Sequence, residues 1–469
     1  MKGAAAMALS KEILLELTKI AGPEDCKYQD FELAAYSQSM IYANPTRPDV
    51  IILPETEVEV SEVLLLANKH NIPVVCRAGG TAGPISMADG GIMFDLSKMN
   101  KVLKIDKERK MVTVQAGCRY YDVVHELLKH GYDLPLKPWF GCGTSIGGYI
   151  NGPSMVGSRV ARYGTLNFWL FGLKVVLPTG EIVYTGANAF ENCSPAMADA
   201  WMAPNSLGKL WLQSLGTFGV VTEATILMIP VPPVSKPVCF GFDSVDALAI
   251  AASKVQLADA ATDIEHEDKD IYELLGMPVQ YPMVLSITNE GYPEEVECKS
   301  AIAARILEEN GGHRLPDKYA HLTYNNTANF NFNTASGGQF CCAAACASNE
   351  SYPEIYRIIK ETWAKHGIRN GWSCWTCYPN WVQGWTIGYY DYEKQMDACQ
   401  TAAFEIMKNG ISIKDSFPYT FTEPFENFIQ KIKDCLDPLG IMNPNAWFMA
   451  SGAQFRMIDA IDLPGTEDS

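Results

Sequence analysis

Three short glycine-rich segments constrain the fold of this 469-residue chain more than any other feature. They are RAGGTAG at 77–83, GTSIGG at 143–148 and SLGTFG at 214–219. Glycine and small hydroxyl residues let main-chain N–H groups converge on an anion without interference from Cβ atoms. Any one of these segments alone also fits an ordinary tight turn between strands. Because three occur in order, with strand-like runs between them, they predict one anion-binding site built from loops.

The two best-known phosphate-binding loops do not fit these segments. A P-loop needs a lysine directly after its second glycine, and none of the three segments has one. A dinucleotide-binding fingerprint must open a helix, but Pro84 occupies the position where that helix would begin. The sequence therefore predicts a phosphate-binding fold of another kind.

The remaining segments predict an α+β fold with a domain boundary near its middle. Residues 49–77 read as strand, helix and strand, and residues 170–186 read as a hairpin. Prolines at 230, 232 and 233 follow a long strand and indicate the boundary. The order beyond it is strand, helix, strand, strand, helix, which resembles a ferredoxin-like unit and predicts an antiparallel sheet backed by helices.

Composition and charge narrow the class of protein. The chain is 48% hydrophobic with a formal net charge of −17, which argues against a nucleic-acid partner. No apolar run approaches the roughly 18 residues of a membrane span. The first residues lack the apolar core of a signal peptide. We therefore expect a cytoplasmic protein that acts on a small molecule, and a homo-oligomer is compatible with this expectation.

The 14 cysteines are more typical of buried thiols than of disulfides in a chain of this kind. Cys341, Cys342 and Cys346 lie in a small-residue run, and Cys374 and Cys377 lie in an aromatic, strand-like run. A zinc or iron–sulfur cluster is the alternative for both groups. We predict core positions and no metal site. The acidic run DIEHED at 263–268 is predicted to be a solvated turn, with metal binding as its alternative.

Taken together, the three segments resemble the PCMH-type FAD-binding domain of the vanillyl-alcohol oxidase superfamily. The most similar branch is that of D-lactate dehydrogenase and the glycolate oxidase flavin subunit. The resemblance runs to about Pro233 and resumes at DPLGIMNPNAWF, 437–448. It implies an FAD-binding domain at 1–235 and a substrate cap domain at 236–435, with an antiparallel sheet and ferredoxin-like helices. It also implies that residues 436–469 return to the FAD-binding domain.

The resemblance also implies which residues contact FAD. The positions that match the family's cofactor-binding motifs are Pro54, Arg77, Ala78, Gly79, Gly80, Thr81, Ala82, Pro138, Thr144, Ser145, Gly147, Gly148, Asn151, Ser158, Tyr163, Ser214, Gly216, Val220, Val221 and Asn443. In some members a histidine in the first loop or the cap bonds covalently to the flavin. The loop at 77–83 has no histidine, so noncovalent FAD is expected.

The resemblance is weakest where the substrate should bind. The hydroxyacid branch carries a His-x-Gly-Asp-Gly-Asn-x-His metal motif, which this chain lacks. Its cap instead carries an aromatic run at 372–392, which is typical of either a packed sheet face or a pocket wall. The candidate catalytic residues are Tyr378, Tyr390 and His321, because phenols and imidazoles act as acids, bases and hydrogen-bond donors.

The resemblance implies an FAD-dependent dehydrogenase that oxidises a small alcohol or 2-hydroxy acid by hydride transfer to flavin N5. Electrons would pass to a separate iron–sulfur or electron-transfer flavoprotein partner. A phenolic or aromatic alcohol substrate is an alternative, as is a flavin electron-transfer subunit without its own substrate.

Overall fold

The computed structural model of the protein describes residues 9–37, 46–81, 90–138, 141–152, 157–190, 203–274, 276–320, 344–389, 396–410 and 422–444. Its strands are β1 (Cys26–Lys27), β2 (Val50–Ile52), β3 (Val74–Arg77), β4 (Ile92–Asp95), β5 (Val102–Asp106), β6 (Met111–Gln115), β7 (Tyr132–Asp133), β8 (Leu170–Val176), β9 (Ile182–Tyr184), β10 (Val220–Leu227), β11 (Ile229–Pro230), β12 (Val234–Phe242), β13 (Asp263–Asp268), β14 (Met283–Gly291), β15 (His313–Arg314), β16 (Ala344–Ser348), β17 (Arg369–Cys377) and β18 (Trp381–Tyr389). Its α-helices are α1 (Lys11–Ala21), α2 (Asp30–Ala34), α3 (Glu57–His70), α4 (Tyr120–Leu128), α5 (Ile146–Asn151), α6 (Val160–Tyr163), α7 (Val245–Leu257), α8 (Lys269–Leu274), α9 (Pro293–Glu309), α10 (Asp317–Ala320), α11 (Tyr352–Lys365), α12 (Met396–Gly410) and α13 (Glu423–Leu436).

The first sheet has the strand order β1-β2-β4-β3, and β2, β4 and β3 run parallel. Helix α3 connects β2 to β3, as the strand–helix–strand pattern predicted. Thr56 caps its start, because the side-chain oxygen accepts from the backbone N–H of Glu59 at 3.2 Å. Asn71 ends the helix in the left-handed conformation, with φ of 52°. Every residue of β2 and β4 is buried, as expected for parallel strands that are covered on both faces.

The second sheet has the order β5-β6-β10-β8-β9 and is antiparallel throughout. Strands β8 and β9 form the hairpin predicted at 170–186. The first and second sheets contribute to one hydrophobic core, in which Val50, Phe94, Val112 and Val176 are completely buried. We call these two sheets the N-terminal sheets.

The third sheet has the order β15-β12-β14-β13-β17-β18-β16, and we call it the cap sheet. All its pairings are antiparallel, as predicted. Helices α7, α9, α11 and α12 pack on one of its faces, and side chains such as Ile264 and Trp372 point into that layer. Trp375 and Cys377 belong to the core of the N-terminal sheets instead. The cap sheet therefore turns one face to its own helices and the other to the N-terminal sheets.

The prediction of a solvated acidic turn at 263–268 is wrong. These residues form β13 in the middle of the cap sheet, and Asp263, Glu265, His266, Glu267 and Asp268 are each at most 3% exposed. Strand alternation places the first, third and fifth residues of β13 on the face toward the N-terminal sheets. Neighbouring strands and loops supply donors to these carboxyl groups, so burial does not leave them without partners.

Arg159 joins the N-terminal sheets to the cap sheet. Its side chain is 2% exposed, and Nη1 lies 2.8 Å from Asp133 Oδ2 on β7 while Nε lies 2.7 Å from Glu290 Oε2 on β14. Burial alone would lower the pKa of this guanidinium, but the two carboxylates raise it above its ordinary value. The ion pairs thus compensate the desolvation of one buried cation by anions from both sides of the junction.

Candidate nucleotide-binding cleft

The three glycine-rich segments meet at one cleft between β3, α5 and the start of β10. Predicted cofactor positions that line it are Arg77, Ala78, Gly79, Gly80, Thr81, Gly147, Gly148, Asn151, Gly216, Val220 and Val221. Cys76, Leu96 and Gly152 also line it, as do Leu215 and Gly219 of the third segment, and none of these five was among the individual residues expected to contact FAD. The cleft is rich in glycine, so the main chain can approach a ligand closely.

Gly79 explains why the first two segments can touch. A Cβ built at this position would lie 2.0 Å from the carbonyl oxygen of Gly143. At Gly216, in the third segment, φ is +73° and a Cβ would meet nothing nearer than Asn443 Nδ2 at 3.9 Å. The first glycine is required by close packing of two loops. The second leaves open space at the cleft, which a ligand can occupy.

Several predicted residues hold the walls of the cleft together, and Thr144, Ser145 and Ser214 do so without lining it. The hydroxyls of Thr81 and Thr144 lie 3.0 Å apart and tie the first segment to the second. The hydroxyl of Ser214 donates to Asn151 Oδ1 at 2.9 Å and ties the third segment to helix α5. Ser145 caps α5 by accepting from the backbone N–H of Gly148 at 3.1 Å. These bonds fix the relative positions of all three segments.

Arg77 is the charged side chain among the described residues that line the cleft. Its guanidinium carbon lies 5.2 Å from the centre of the Tyr36 ring, and the Tyr36 hydroxyl donates to Asp95 Oδ2 at 2.5 Å. Burial holds the pKa of Arg77 below its ordinary value, although the charges of Asp95 and Tyr36 act in the opposite direction. Burial and the neighbouring Asp95 raise the pKa of Tyr36. A guanidinium held in this way offers a positive charge to an anionic ligand.

The C-terminal residues Lys433, Asp437 and Asn443, which we call the C-terminal clamp, brace the third segment. Lys433 Nζ donates to Thr217 O at 2.7 Å, to Asp437 Oδ2 at 2.5 Å and to Met442 O at 3.1 Å. Burial lowers the pKa of Lys433, and Asp437 opposes that shift. Asn443 Nδ2 donates to the carbonyl oxygen of Leu215 in the cleft wall.

The same end of the chain also contacts the strand that carries the first segment. The backbone N–H of Asn443 donates to Val74 O at 2.7 Å, and the Val74 N–H donates to Ile441 O at 2.8 Å. Residues 441–443 therefore connect β3 to the third segment. The sequence analysis did not predict the contacts of this clamp. Of its three residues it named only Asn443, as a residue that contacts the cofactor.

Besides Thr144, Ser145, Ser214 and Asn443, four more predicted cofactor residues lie outside the described lining of the cleft. Pro54 is buried after β2, and Pro138 O accepts from the Tyr121 hydroxyl at 3.3 Å. Tyr163 ends α6, and the Ser158 hydroxyl donates to a carboxylate of the cap sheet at 2.7 Å. Contact with FAD stays a prediction for these residues and for those that line the cleft.

The three candidate catalytic residues do not meet in the described structure. Tyr378 is 45% exposed after β17, where its ring packs edge-on against Phe168 with 5.4 Å between ring centres. It does not line the cleft. Tyr390 and His321, like the predicted cofactor residue Ala82, lie outside the described residues.

Metal-ligating side chains are dispersed in the part of the chain that the structure describes. No three His, Cys, Asp or Glu side chains in it are arranged to hold a metal ion. His266 is the most buried of the described histidines; its Nε2 lies 2.7 Å from Thr376 Oγ1, and burial lowers its pKa to about 3. Cys374 and Cys377 are buried in β17, and burial raises the pKa of both thiols. Within the described ranges, the helices are also too short or too polar to span a bilayer.

The sheet arrangement around the cleft is that of the PCMH-type fold. The fold is shared with p-cresol methylhydroxylase with its substrate bound, at a TM-score of 0.77 and 17% identity, over 94% of this chain and 98% of that one. It is also shared with the 4-ethylphenol oxidase from Gulosibacter chungangensis, at a TM-score of 0.76 and 17% identity over the same shares of the two chains. These likenesses establish the fold alone.

Within this class, residues 48–186 match the FAD binding domain family. The chain is similar to the glycolate oxidase subunit GlcD of Bacillus subtilis, with 30% identity over 301 residues, 62% of this chain and 61% of the relative. It is also similar to the D-lactate dehydrogenase of Anaerostipes hadrus, with 34% identity over 204 residues, 43% of this chain and 39% of the relative. The matched segments thus span about 39% to 61% of these relatives' lengths. The resemblance inferred from the three glycine-rich segments is confirmed, and so is FAD as the cofactor.

The residues present fit FAD. Its diphosphate requires a positive charge and closely approaching main chain, which Arg77 and the glycines of the cleft provide. The open space beside Gly216 leaves room for the ligand where a side chain would otherwise stand.

Proposed function

We propose that the protein is an FAD-dependent dehydrogenase that oxidises a small alcohol or 2-hydroxy acid and passes the electrons to a separate protein. The convergence of three glycine-rich segments on one arginine-bearing cleft carries this proposal. The similarity to a D-lactate dehydrogenase and a glycolate oxidase subunit supports the reaction class. Bound FAD would supply the acceptor for the two electrons that leave the substrate.

In this proposal the chain's own residues bind and orient the cofactor. Arg77 would hold the diphosphate, and Val220 and Val221 would meet the adenine. Gly79 and Gly147 let the segments that form the cleft pack closely against Gly143 and Ala116. We assign residues 1–235 to the FAD-binding domain, 236–435 to the cap and 436–469 to the returning segment. The bonds of the C-terminal clamp to Thr217 and Leu215 support this last assignment.

A phenolic or aromatic alcohol is a second candidate substrate. The cap-sheet face toward the N-terminal sheets carries Trp375, Trp381 and Trp385, and the rings of Trp375 and Trp385 meet edge to face at 5.5 Å. Aromatic walls favour flat apolar ligands. Two structures of the same fold bear names that refer to phenols, although their identity to this chain is 17%.

An electron acceptor outside this chain is part of the proposal. The names of two relatives, D-lactate dehydrogenase [cytochrome] and glycolate oxidase subunit, refer to an acceptor and to an assembly. An iron–sulfur protein or an electron-transfer flavoprotein would serve here. The competing hypothesis is a flavin electron-transfer subunit with no substrate of its own.

Anaerobic reduction of the purified protein tests the proposal. The protein should be yellow, and D-lactate, glycolate or 4-hydroxybenzyl alcohol should bleach its visible absorbance without dioxygen. The donor that bleaches fastest identifies the substrate class. Reduction by none of these alcohols, with normal reduction by dithionite, would favour the electron-transfer hypothesis. A colourless protein that takes up no added FAD would contradict every form of the proposal.

A further inference from the structure

Two acids of strand β13 face the junction between the cap sheet and the N-terminal sheets. Asp263 and Glu265 are 1% and 2% exposed, and residues two apart on a strand share a face. Glu265 stands directly opposite Trp375 of β17, and paired residues of antiparallel strands also share a face. Because Trp375 packs in the core of the N-terminal sheets, both acids point toward those sheets and away from the cap helices.

The two carboxyl groups bind two consecutive residues on the other side of the junction. Asp263 Oδ1 accepts from the backbone N–H of Arg159 at 2.7 Å, and Glu265 Oε1 accepts from the Ser158 hydroxyl at 2.7 Å. Trp375 Nε1 donates to the same oxygen of Glu265 at 2.9 Å. Ser158 and Arg159 follow helix α5, whose residues line the nucleotide cleft. The acids therefore hold the segment that leads away from the cleft wall.

The backbone of Arg159 requires such support. Its φ is +76°, in the left-handed region that is unfavourable for a residue with a Cβ atom. A conformation of this kind persists where several surrounding contacts determine it. The bond from its N–H to Asp263 is one of these contacts, and the ion pairs of its guanidinium with Asp133 and Glu290 are others. Loss of the bond to Asp263 would therefore favour relaxation of this segment.

The carboxyl groups of Asp263 and Glu265 also hydrogen-bond to each other. Such a bond requires a proton, because two ionised carboxylates contain acceptors and no donor. Burial first, and then the charge of Glu265, raise the pKa of Asp263, so Asp263 is the group that holds the proton. A protonated Asp263 can donate to Glu265 and accept from Arg159 at the same time. We call these two groups the carboxyl pair.

The other charges around the carboxyl pair do not replace this proton. The described titratable groups that face it are Lys137, Arg159, Asp133, Glu290, Glu267 and Cys377. The Arg159 guanidinium is bound by Asp133 and Glu290, and Lys137 Nζ lies 4.0 Å from Glu290 Oε1. Burial raises the pKa of Glu267 and of Cys377, which favours their uncharged forms. The two cations are thus already matched by two carboxylates of other strands.

We propose that Asp263 and Glu265 share one proton, and that the protonated carboxyl pair holds Ser158 and Arg159 against the cap sheet and so positions the neighbouring wall of the FAD cleft. Both acids are positioning residues in this inference. Loss of the proton would leave two buried carboxylates side by side, and their repulsion would weaken the bonds to the segment. The hold on the cleft wall therefore weakens as pH rises. The inference goes beyond the proposed oxidation, because it does not depend on the substrate.

Asp263→Asn tests the shared proton. The amide resembles protonated Asp263, since its oxygen can accept from Arg159 and its NH₂ group can donate to Glu265. Above about pH 3.9 the unfolded wild-type chain releases the proton while the folded protein keeps it, so the wild type loses stability relative to the variant as pH rises. Urea unfolding at pH 5 and pH 7 should show that the ratio of the two folding equilibrium constants changes about 100-fold. A constant ratio would overturn the inference.

The link to the cleft is tested with Glu265→Ala and Glu265→Gln. The alanine variant removes the acceptor of the Ser158 hydroxyl, whereas the glutamine variant keeps an oxygen for Ser158 and Trp375 and offers an NH₂ group to Asp263. Glu267→Ala is the matched control, because Glu267 is 3% exposed on the same strand and its carboxyl group bonds within the cap. Fluorescence of FAD released when the holoprotein is diluted at pH 7 gives the dissociation constant. We expect it to rise about tenfold in Glu265→Ala and to stay within about twofold in Glu265→Gln and Glu267→Ala.

Equal FAD affinities of Glu265→Ala and Glu267→Ala would overturn the link to the cleft. An equal loss in Glu265→Gln and Glu265→Ala would also overturn it, because the amide keeps the bonds that hold the segment. If Glu265→Ala does not fold, Asp263→Ala replaces it, since it removes the acceptor of the Arg159 N–H and should raise the dissociation constant by a similar factor. Unchanged affinity there would again contradict the inference. Neither measurement uses a substrate, so these outcomes leave the proposed oxidation to its own test.

Discussion

Replacement of Lys433 by methionine removes the cation of the C-terminal clamp and keeps most of the side chain's volume. Lys433 is 8% exposed, and its ammonium group donates to two carbonyl oxygens and to the completely buried Asp437. The variant leaves the Asp437 carboxylate with the backbone N–H groups of Ile441 and Met442, at 3.1 and 3.0 Å. Breaking a buried ion pair from one side typically costs about 3–5 kcal/mol. We therefore expect the free energy of unfolding to fall by about that amount.

Part of this loss should appear in FAD affinity, because the clamp braces Thr217 and Leu215 in the third glycine-rich segment. If about half of it, roughly 1.5–2.5 kcal/mol, is coupled to the cleft, the dissociation constant for FAD rises about 10- to 70-fold. Quenching of FAD fluorescence by the apoprotein measures this constant, and urea unfolding measures stability. Lys431→Met is the control, since Lys431 is exposed on the same helix and its replacement should change stability by less than about 0.5 kcal/mol.

The result that would refute the reasoning is specific. If folded Lys433→Met binds FAD within twofold of the wild type, the third segment keeps its conformation without the clamp. Equal effects of Lys431→Met and Lys433→Met would show that helix charge matters and that the buried contacts do not.

Three further predictions follow from other parts of the structure. Gly79→Ala should reduce FAD affinity at least tenfold, because its Cβ would lie 2.0 Å from the carbonyl oxygen of Gly143; the ratio of visible to ultraviolet absorbance after purification checks this, and normal FAD content would contradict it. Arg159→Met leaves two buried carboxylates without their cation and should cost about 3–5 kcal/mol in denaturant unfolding; a loss below 1 kcal/mol would show that the junction relaxes around them. Glu267→Gln should gain stability relative to the wild type as pH rises above about 4.3, because the raised folded-state pKa of Glu267 makes the folded state hold a proton that the unfolded state releases. Thermal midpoints between pH 5 and 8 measure this difference, and a constant difference between the two proteins would argue that Glu267 ionises normally when buried.

The cleft was predictable from sequence because its determinants are local. Glycine spacing at 77–83, 143–148 and 214–219 encodes loops whose conformations depend on the glycines themselves, and the strands that carry them have clear apolar patterns. The hairpin of β8 and β9 and the helix α3 were predictable for the same reason. Only the meeting of the three loops required the resemblance to a known fold.

The residues that sequence reasoning missed depend on contacts between distant parts of the chain. Glu265 and its donor Trp375 are separated by 110 residues, and Lys433 and its acceptor Thr217 by 216. An acidic run such as DIEHED looks solvated, because buried carboxylates are rare and nothing local supplies their donors. The alternating positions of its acids, at 263, 265 and 267, are the one local signal that they share a strand face.

The Arg159 ion pairs have a consequence for protein engineering. Substrate caps are attractive parts to exchange between relatives of one fold, since the cofactor-binding half could then be reused with new specificities. In this protein the junction depends on a buried ion-pair network. Arg159 binds both Asp133 and Glu290, and Glu290 lies on the cap sheet. A transplanted cap without an acid at the position of Glu290 would leave the buried Arg159 guanidinium with only one of its two carboxylate partners. Chimeras should therefore take residues 133, 159 and 290 from the same parent. We expect such chimeras to fold, and chimeras that combine these residues from different parents to fail.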